Sequence, residues 1–349
     1  MSYRCRIYRC VASLLLMTSR AAWSHGGAVV ENAQPWASWP FAPELLIGVV
    51  IAAAFYIRGW MQRRDRAGAI SAWRHASFFS GLAALLIALQ SPLDVLAEHS
   101  FTMHQFQHMF LRAIGPMLLM LAAPQVLLIA GMPDWLRTRV LAPLLTSRVA
   151  GALFGFFPHP FVATFFLLAV PVFWHIPEYH NLSIMNEPVH YVMHITMLLS
   201  GMFFFWRVLD PRPAPQGVSY ATRIVMSWAA IAGNIPLGAY ITVKSVVLYP
   251  AYDVKGRLWD LGALADEQIG GMVIWSPGSM MFAVLILVVI RLWGKREQQL
   301  DSRASSGLIV MSQASLASAN RKLGLRLAAI AVMVGGGVAL VAILQQFMP

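Results

Sequence analysis

Two pairs of histidines stand four residues apart, His104 with His108 and His190 with His194. On a helix, side chains at that spacing lie one above the other on one face, about 6 Å apart along the axis, so both imidazoles of a pair can meet one ion. Met103 precedes the first pair and Met193 sits inside the second, each turned about 100° from its neighbouring histidine. Imidazole with thioether and no thiolate suits copper, particularly Cu(I), whereas imidazole alone also accepts zinc. The only cysteines, Cys5 and Cys10, lie at the extreme N-terminus, which leaves no thiolate site to the rest of the chain. His175, in Trp174-His175-Ile176-Pro177, is a further candidate ligand, while His99 and His180 read as loop residues bonded to water or headgroups. A weaker group opens a later segment: Asp266, Gln268 and Met272, of which the last two are four apart. There the adjacent Gly270 and Gly271 would let a helix or a ligand approach the backbone, and Pro277 is expected to kink the helix.

The elements that must position these residues follow from composition. Hydrophobic residues make up 58% of the 349 and charged ones only 12%, with a mean hydropathy of +0.62, which excludes a soluble enzyme. The net charge of +11, which in a soluble chain would suggest nucleic acid, here suggests positive loops between membrane spans. The fold class expected is an all-α polytopic membrane protein: a seven-span helical core, an extra C-terminal span and a signal-like N-terminus. Apolar stretches of spanning length fall near 44–61, 71–90, 101–123, 154–175, 188–207, 221–243, 269–292 and 324–347. The third is expected to run on or break through Pro124, and 133–148 reads as a short surface helix. Ahead of them, Arg4, Arg6 and Arg9, a short apolar core and Ala22-Trp23-Ser24 fit a signal peptide over 1–24, too short to span. The remaining divisions expected are a short outer segment over 25–43, a core over 44–293, a polar linker over 294–322 and the last span over 323–349.

Charge then orients the spans. The loops after spans one, three, five and seven carry eighteen Lys and Arg residues, and those after spans two, four and six carry only Lys244, Lys255 and Arg257. The positive-inside rule therefore places the mature N-terminus and, with eight spans, the C-terminus outside. Seven of the ten histidines then gather at the outer, periplasmic ends of spans. Histidines near span ends also arise as interfacial residues, so a single one says little; two pairs entering from one side, where polar groups are costly, say more.

Arg112 lies one turn beyond His108, where a cation is expensive unless paired. A carboxylate, a propionate or Asn234 in the sixth span could each meet it. A propionate would suit a second reading, a b-type cytochrome or quinone-reactive protein in which histidines from two spans hold haem. The short rise between paired histidines argues against two stacked haems. A metal importer would need polar groups continuing inward, and beyond Arg112, Asn234, His75 and His159 the sequence offers none. Nothing resembles a nucleophile, a phosphate loop or an ATPase, so the chain reads as non-enzymatic.

Several motifs in order resemble one family. Ser91-Pro92-Leu93-Asp94, Met103 to Met109, Ala123-Pro124, Trp174 to Tyr179, the His190 and His194 pair with Gly201 and Phe205-Trp206, and Asp266 to Gly278 are together similar to the multi-pass cytochrome c oxidase assembly factor family CtaG. The resemblance covers about residues 44–293. It implies a seven-span core in the bacterial cytoplasmic membrane that helps mature a haem-copper oxidase, supplying copper to its catalytic subunit. It also implies His104, His108, His175, His190 and His194 as functional positions. A periplasmic copper chaperone is a further expected partner. The signal-like N-terminus and the eighth span depart from the family pattern.

Overall fold

The structure, a computed structural model, describes residues 39–63, 70–212, 214, 216–259 and 261–305, and these fold into helices and connecting turns without a strand. The expected signal segment, nearly all of the 25–43 segment, the end of the polar linker and the span near 324–347 lie outside the described residues.

In chain order the helices are α1 (Pro43–Arg63), α2 (Ala72–Gln90), α3 (Pro92–His99), α4 (Phe101–Leu121), α5 (Gln125–Gly131), α6 (Arg148–Phe156), α7 (Pro160–Trp174), α8 (Pro177–Met185), α9 (Glu187–Val208), α10 (Tyr220–Val243), α11 (Ala251–Lys255) and α12 (Ala263–Ser305). Five of them, α1, α2, α9, α10 and α12, are long and apolar enough to cross a membrane. The count becomes seven if α4 with α5 and α7 with α8, bent by 76° and 74°, each form one broken span. The α4 break falls where expected: Ala123 takes a positive φ of 48° just before Pro124, whose ring cannot continue a helix. Short exposed turns of helix occupy 134–146. The seventh span is longer than expected: α12 is assigned as one helix through Pro277 and continues to Ser305. A proline removes one backbone bond, and neighbouring helices hold the rest of the ladder in place.

Small residues set how closely the helices approach. A Cβ on Gly59 of α1 would lie 1.9 Å from the Leu127 carbonyl oxygen of α5, and one on Gly131 would lie 1.8 Å from that of Phe55. Between α10 and α12, Gly238 and Gly271 face each other in the same reciprocal way, each with its would-be Cβ 2.9 Å from the other's carbonyl oxygen. Gly270 meets the Phe101 ring. The glycine pair at 270 and 271 thus serves helix packing, as in other membrane bundles, and its neighbour is a helix on each side. Phe78, Leu111, Leu167, Phe204, Phe205 and Phe282 fill the interior, while Phe161, Phe165, Met280 and Leu287 point outward as lipid-facing side chains do.

Caps fix the helices that carry the histidines. Ser100 caps α4 by accepting from the Met103 amide, and Asn186 caps α9 by accepting from the Val189 amide. Both caps direct the first two turns of their helices, with the histidines, toward one end of the bundle.

Candidate metal centre

The two His-x-x-x-His pairs meet face to face. One ring nitrogen from each of His104, His190 and His194 lies within 4.8 Å of the other two. His190 Nε2 and His194 Nε2 are 2.9 Å apart, so in the metal-free arrangement one of them carries the shared proton. His104 is fully buried; its Nδ1 is 3.3 Å from the Ala97 carbonyl, and its Nε2 has no partner among the described residues. His108 is also buried, and neither of its ring nitrogens has a partner among the described residues. Its ring centroid lies 4.2 Å from that of His104 and 5.8 Å from that of His194. A buried imidazole nitrogen without a hydrogen bond is costly, and a metal ion is one partner that would satisfy it.

The other candidates are placed differently. His175 lies beside the cluster, 6.3 Å from His108 by centroids, but its Nδ1 contacts the Pro171 carbonyl at 2.7 Å and its Nε2 contacts Gln105 Oε1 at 3.0 Å. It would ligate only by giving up a bond. Met103 is half-buried and outside the histidine trio, Met272 is about half exposed at 49%, and the Met193 sulfur accepts from Ser183. The nitrogens shown to converge are those of His104, His190 and His194. Gln268 donates to the Lys244 carbonyl. Asp266 accepts from Ser100 Oγ, from the amides of Phe101 and Thr102, and from Arg257, so it anchors the start of α4. Both Asp266 oxygens are thus already bonded to groups that hold the start of α4 and the loop before α12, and the Gln268 amide nitrogen ties α12 to the end of α10.

His180, expected in a loop, is fully buried on α8, with Nδ1 3.0 Å from the Trp174 carbonyl and Nε2 2.9 Å from the Tyr252 hydroxyl. Sequence reading also missed Glu267. It is fully buried, pairs with Lys244 and accepts from the amides of Leu248 and Tyr249, fixing the loop after α10 against α12. Buried opposite charges look like loop charges in a sequence. The available hint was that Glu267 stands next to Asp266 at the entrance of an apolar helix.

A chamber of about 300 Å³ opens onto His190 and His194. Glu44, Asp94, Glu98 and Glu187 line it among leucines, so its polar wall is acidic. Glu98 pairs with Lys255 at 3.1 Å, and Glu187 Oε1 has no partner among the described residues. Burial and the neighbouring Glu98 push the Asp94 carboxyl up to about 7, a rise that the hydrogen bond from Gln107 only moderates. Such a wall attracts cations toward the histidines.

The sequence matches the family described as cytochrome c oxidase caa3 assembly factor (Caa3_CtaG) over residues 54–296. Curated relatives include an uncharacterised protein of Mycobacterium bovis, 26% identical over 279 residues, and one of Mycobacterium leprae, 22% identical over 268 residues. Each alignment covers 76% of this chain and 40% or 41% of the relative, so the chain spans about two fifths of the length of the curated relatives it matches. No solved structure matches. With the matched region spanning α1 to α12 and enclosing every histidine of the cluster, the chain belongs to the cytochrome c oxidase caa3 assembly factor family, Caa3_CtaG.

Proposed function

We propose that this protein holds copper, as Cu(I), at the His104, His190 and His194 trio, with His108 behind it, and passes it to the catalytic subunit of a haem-copper oxidase. The observation that carries the reading is the convergence of three ring nitrogens within 4.8 Å in a buried site, with unpartnered nitrogens on His104 and His108 beside them. The acidic chamber supports it as the route by which a cation reaches and leaves the histidines. The positive-inside distribution supports an inner-membrane protein whose site faces the periplasm, where a periplasmic copper chaperone could load it. Imidazoles alone also accept zinc, so metal identity is part of the test. Haem would also take one histidine from each of two helices, so a visible spectrum is part of the test. Transfer would be driven by the difference in affinity between this site and its acceptor, since no nucleotide-binding motif is present in the sequence.

The test is metal content by mass spectrometry, with a visible spectrum, on protein purified anaerobically from copper-fed cells. The expected result is copper near one per chain, lost in the variant with His104, His108, His190 and His194 all changed to Ala. Copper absent from the native protein would overturn the donor reading, zinc in its place would change the cargo, and a Soret band would reassign the histidines to haem.

A further inference from the structure

Below the histidines, α4 widens into a π-helix over Phe110–Ile114 with Arg112 at its centre. Such bulges are rare and occur frequently at functional sites. The widened turn is fixed from outside, because a Cβ on Gly201 of α9 would lie 1.9 Å from the Arg112 carbonyl oxygen. The Arg112 side chain is only 8% exposed and points between α7 and α10. It donates to the Leu167 carbonyl at 3.3 Å and to Asn234 Oδ1 at 3.1 Å, and among the described residues it forms no ion pair.

The molecule offers its own control. Arg223, equally buried, gives its guanidinium to three backbone carbonyls, those of Val218, Val208 and Arg212. Arg112 has one carbonyl and one neutral amide for five N–H donors. Because a guanidinium only donates, Asn234 must present its oxygen to Arg112, which turns its Nδ2 away; that Nδ2 is buried and has no partner among the described residues. A Cβ on Gly278 would lie 3.7 Å from the same Nδ2, and Gly278 lines a cavity of about 30 Å³ together with Arg112, Gln105, Met109 and His108. A buried cation without an ion pair thus borders one small, mostly apolar cavity large enough for one or two water-sized groups. Water would fill the donors' needs but would leave the positive charge uncompensated in a medium where that is expensive.

We propose that this cavity is a binding site for a small monovalent anion of the chloride class, held by the Arg112 guanidinium. The anion neutralises Arg112 inside the bundle and lies one helical turn below the histidine cluster. The cavity also touches His108 and His175, so the experiment uses metal-free protein to keep its outcome separate from that of the copper reading.

Chelated full-length protein in detergent is unfolded by heat at constant ionic strength in sodium gluconate, chloride or bromide. The expected result is a saturable rise in midpoint of about 2–4 °C in chloride and bromide over gluconate, whose anion is too large for the cavity. The deciding variant is Asn234→Asp, which supplies Arg112 with an internal carboxylate and makes the anion superfluous. Its midpoint in gluconate should reach that of the native protein in chloride, and the halide response should vanish. Broadening of the chloride-35 resonance by the native protein, absent with Asn234→Asp, reads the binding directly. Equal midpoints for the native protein in all three salts, or a halide response that survives in Asn234→Asp, would overturn the proposal.

Discussion

The rings of His104 and His180 lie 5.3 Å apart, both fully buried, yet their nitrogens are used in opposite ways. His180 spends both on a carbonyl and a tyrosine hydroxyl that come from α7 and α11, so it ties two elements together. His104 keeps Nε2 unspent, and the neighbouring His108 keeps both nitrogens unspent. The same contrast extends outward. Around His180, Tyr249, Asp266 and Glu267 form a closed set in which each carboxylate accepts from backbone amides and meets a cation. Around His104 the polar atoms converge without partners. Residue type does not separate a ligand from a strut; the availability of a lone pair does.

The largest effect that can break this contrast is loss of metal. Changing His104, His190 and His194 to Ala should reduce copper to background, by mass spectrometry, while the protein still inserts and keeps its helix content. His180→Phe should leave copper per folded chain unchanged; if correctly folded His180→Phe protein loses its copper, the distinction between ligand and strut collapses.

The next effect falls on stability and on the closed region. Glu267→Gln strands Lys244 as an uncompensated buried charge, so a loss of about 3–5 kcal/mol is expected in reversible denaturation in detergent. His180→Phe itself strands the Trp174 carbonyl and the Tyr252 hydroxyl, for which about 1–3 kcal/mol each is the expected cost in the same assay. Little loss from either would show that this end of the bundle is held by apolar packing and not by its polar network.

The smallest effect sharpens the boundary between the two regions, at the chamber wall. The Asp94 carboxyl is raised from 3.8 to about 7 by burial and by Glu98, so the folded protein binds its proton more tightly than the unfolded chain does. Its contribution to stability is fully present below about 4 and is lost as pH rises through about 7. Asp94→Asn, which can still accept from Gln107, should flatten the stability profile over that interval. An unchanged profile would place the titration elsewhere.

Much of the bundle is legible in the sequence because apolar runs and breakers act locally. The span positions, the break before Pro124 and the common end reached by the paired histidines follow from hydropathy, proline chemistry and helical spacing. Their face-to-face meeting is consistent with the pairs entering from one side, but the spacing of each pair says nothing about its distance from the other. The length of α12, which runs on to Ser305 beyond the apolar stretch near 269–292, is not set by hydropathy alone.

The sequence by itself determined that this is an apolar, helical, membrane-type chain with imidazole pairs at one set of helix ends, because composition and i,i+4 spacing are properties of single segments. Only the tertiary structure decided that His180 bonds a carbonyl and a tyrosine, that Asp266 and Glu267 hold backbone, and that Arg112 meets Asn234 and, among the described residues, no acid. Each of those outcomes depends on which partner another helix brings within hydrogen-bonding distance. That is fixed by the close approach of glycine-lined helix faces, such as Gly201 on Arg112 and Gly238 on Gly271, and those pairings exist only after the helices pack.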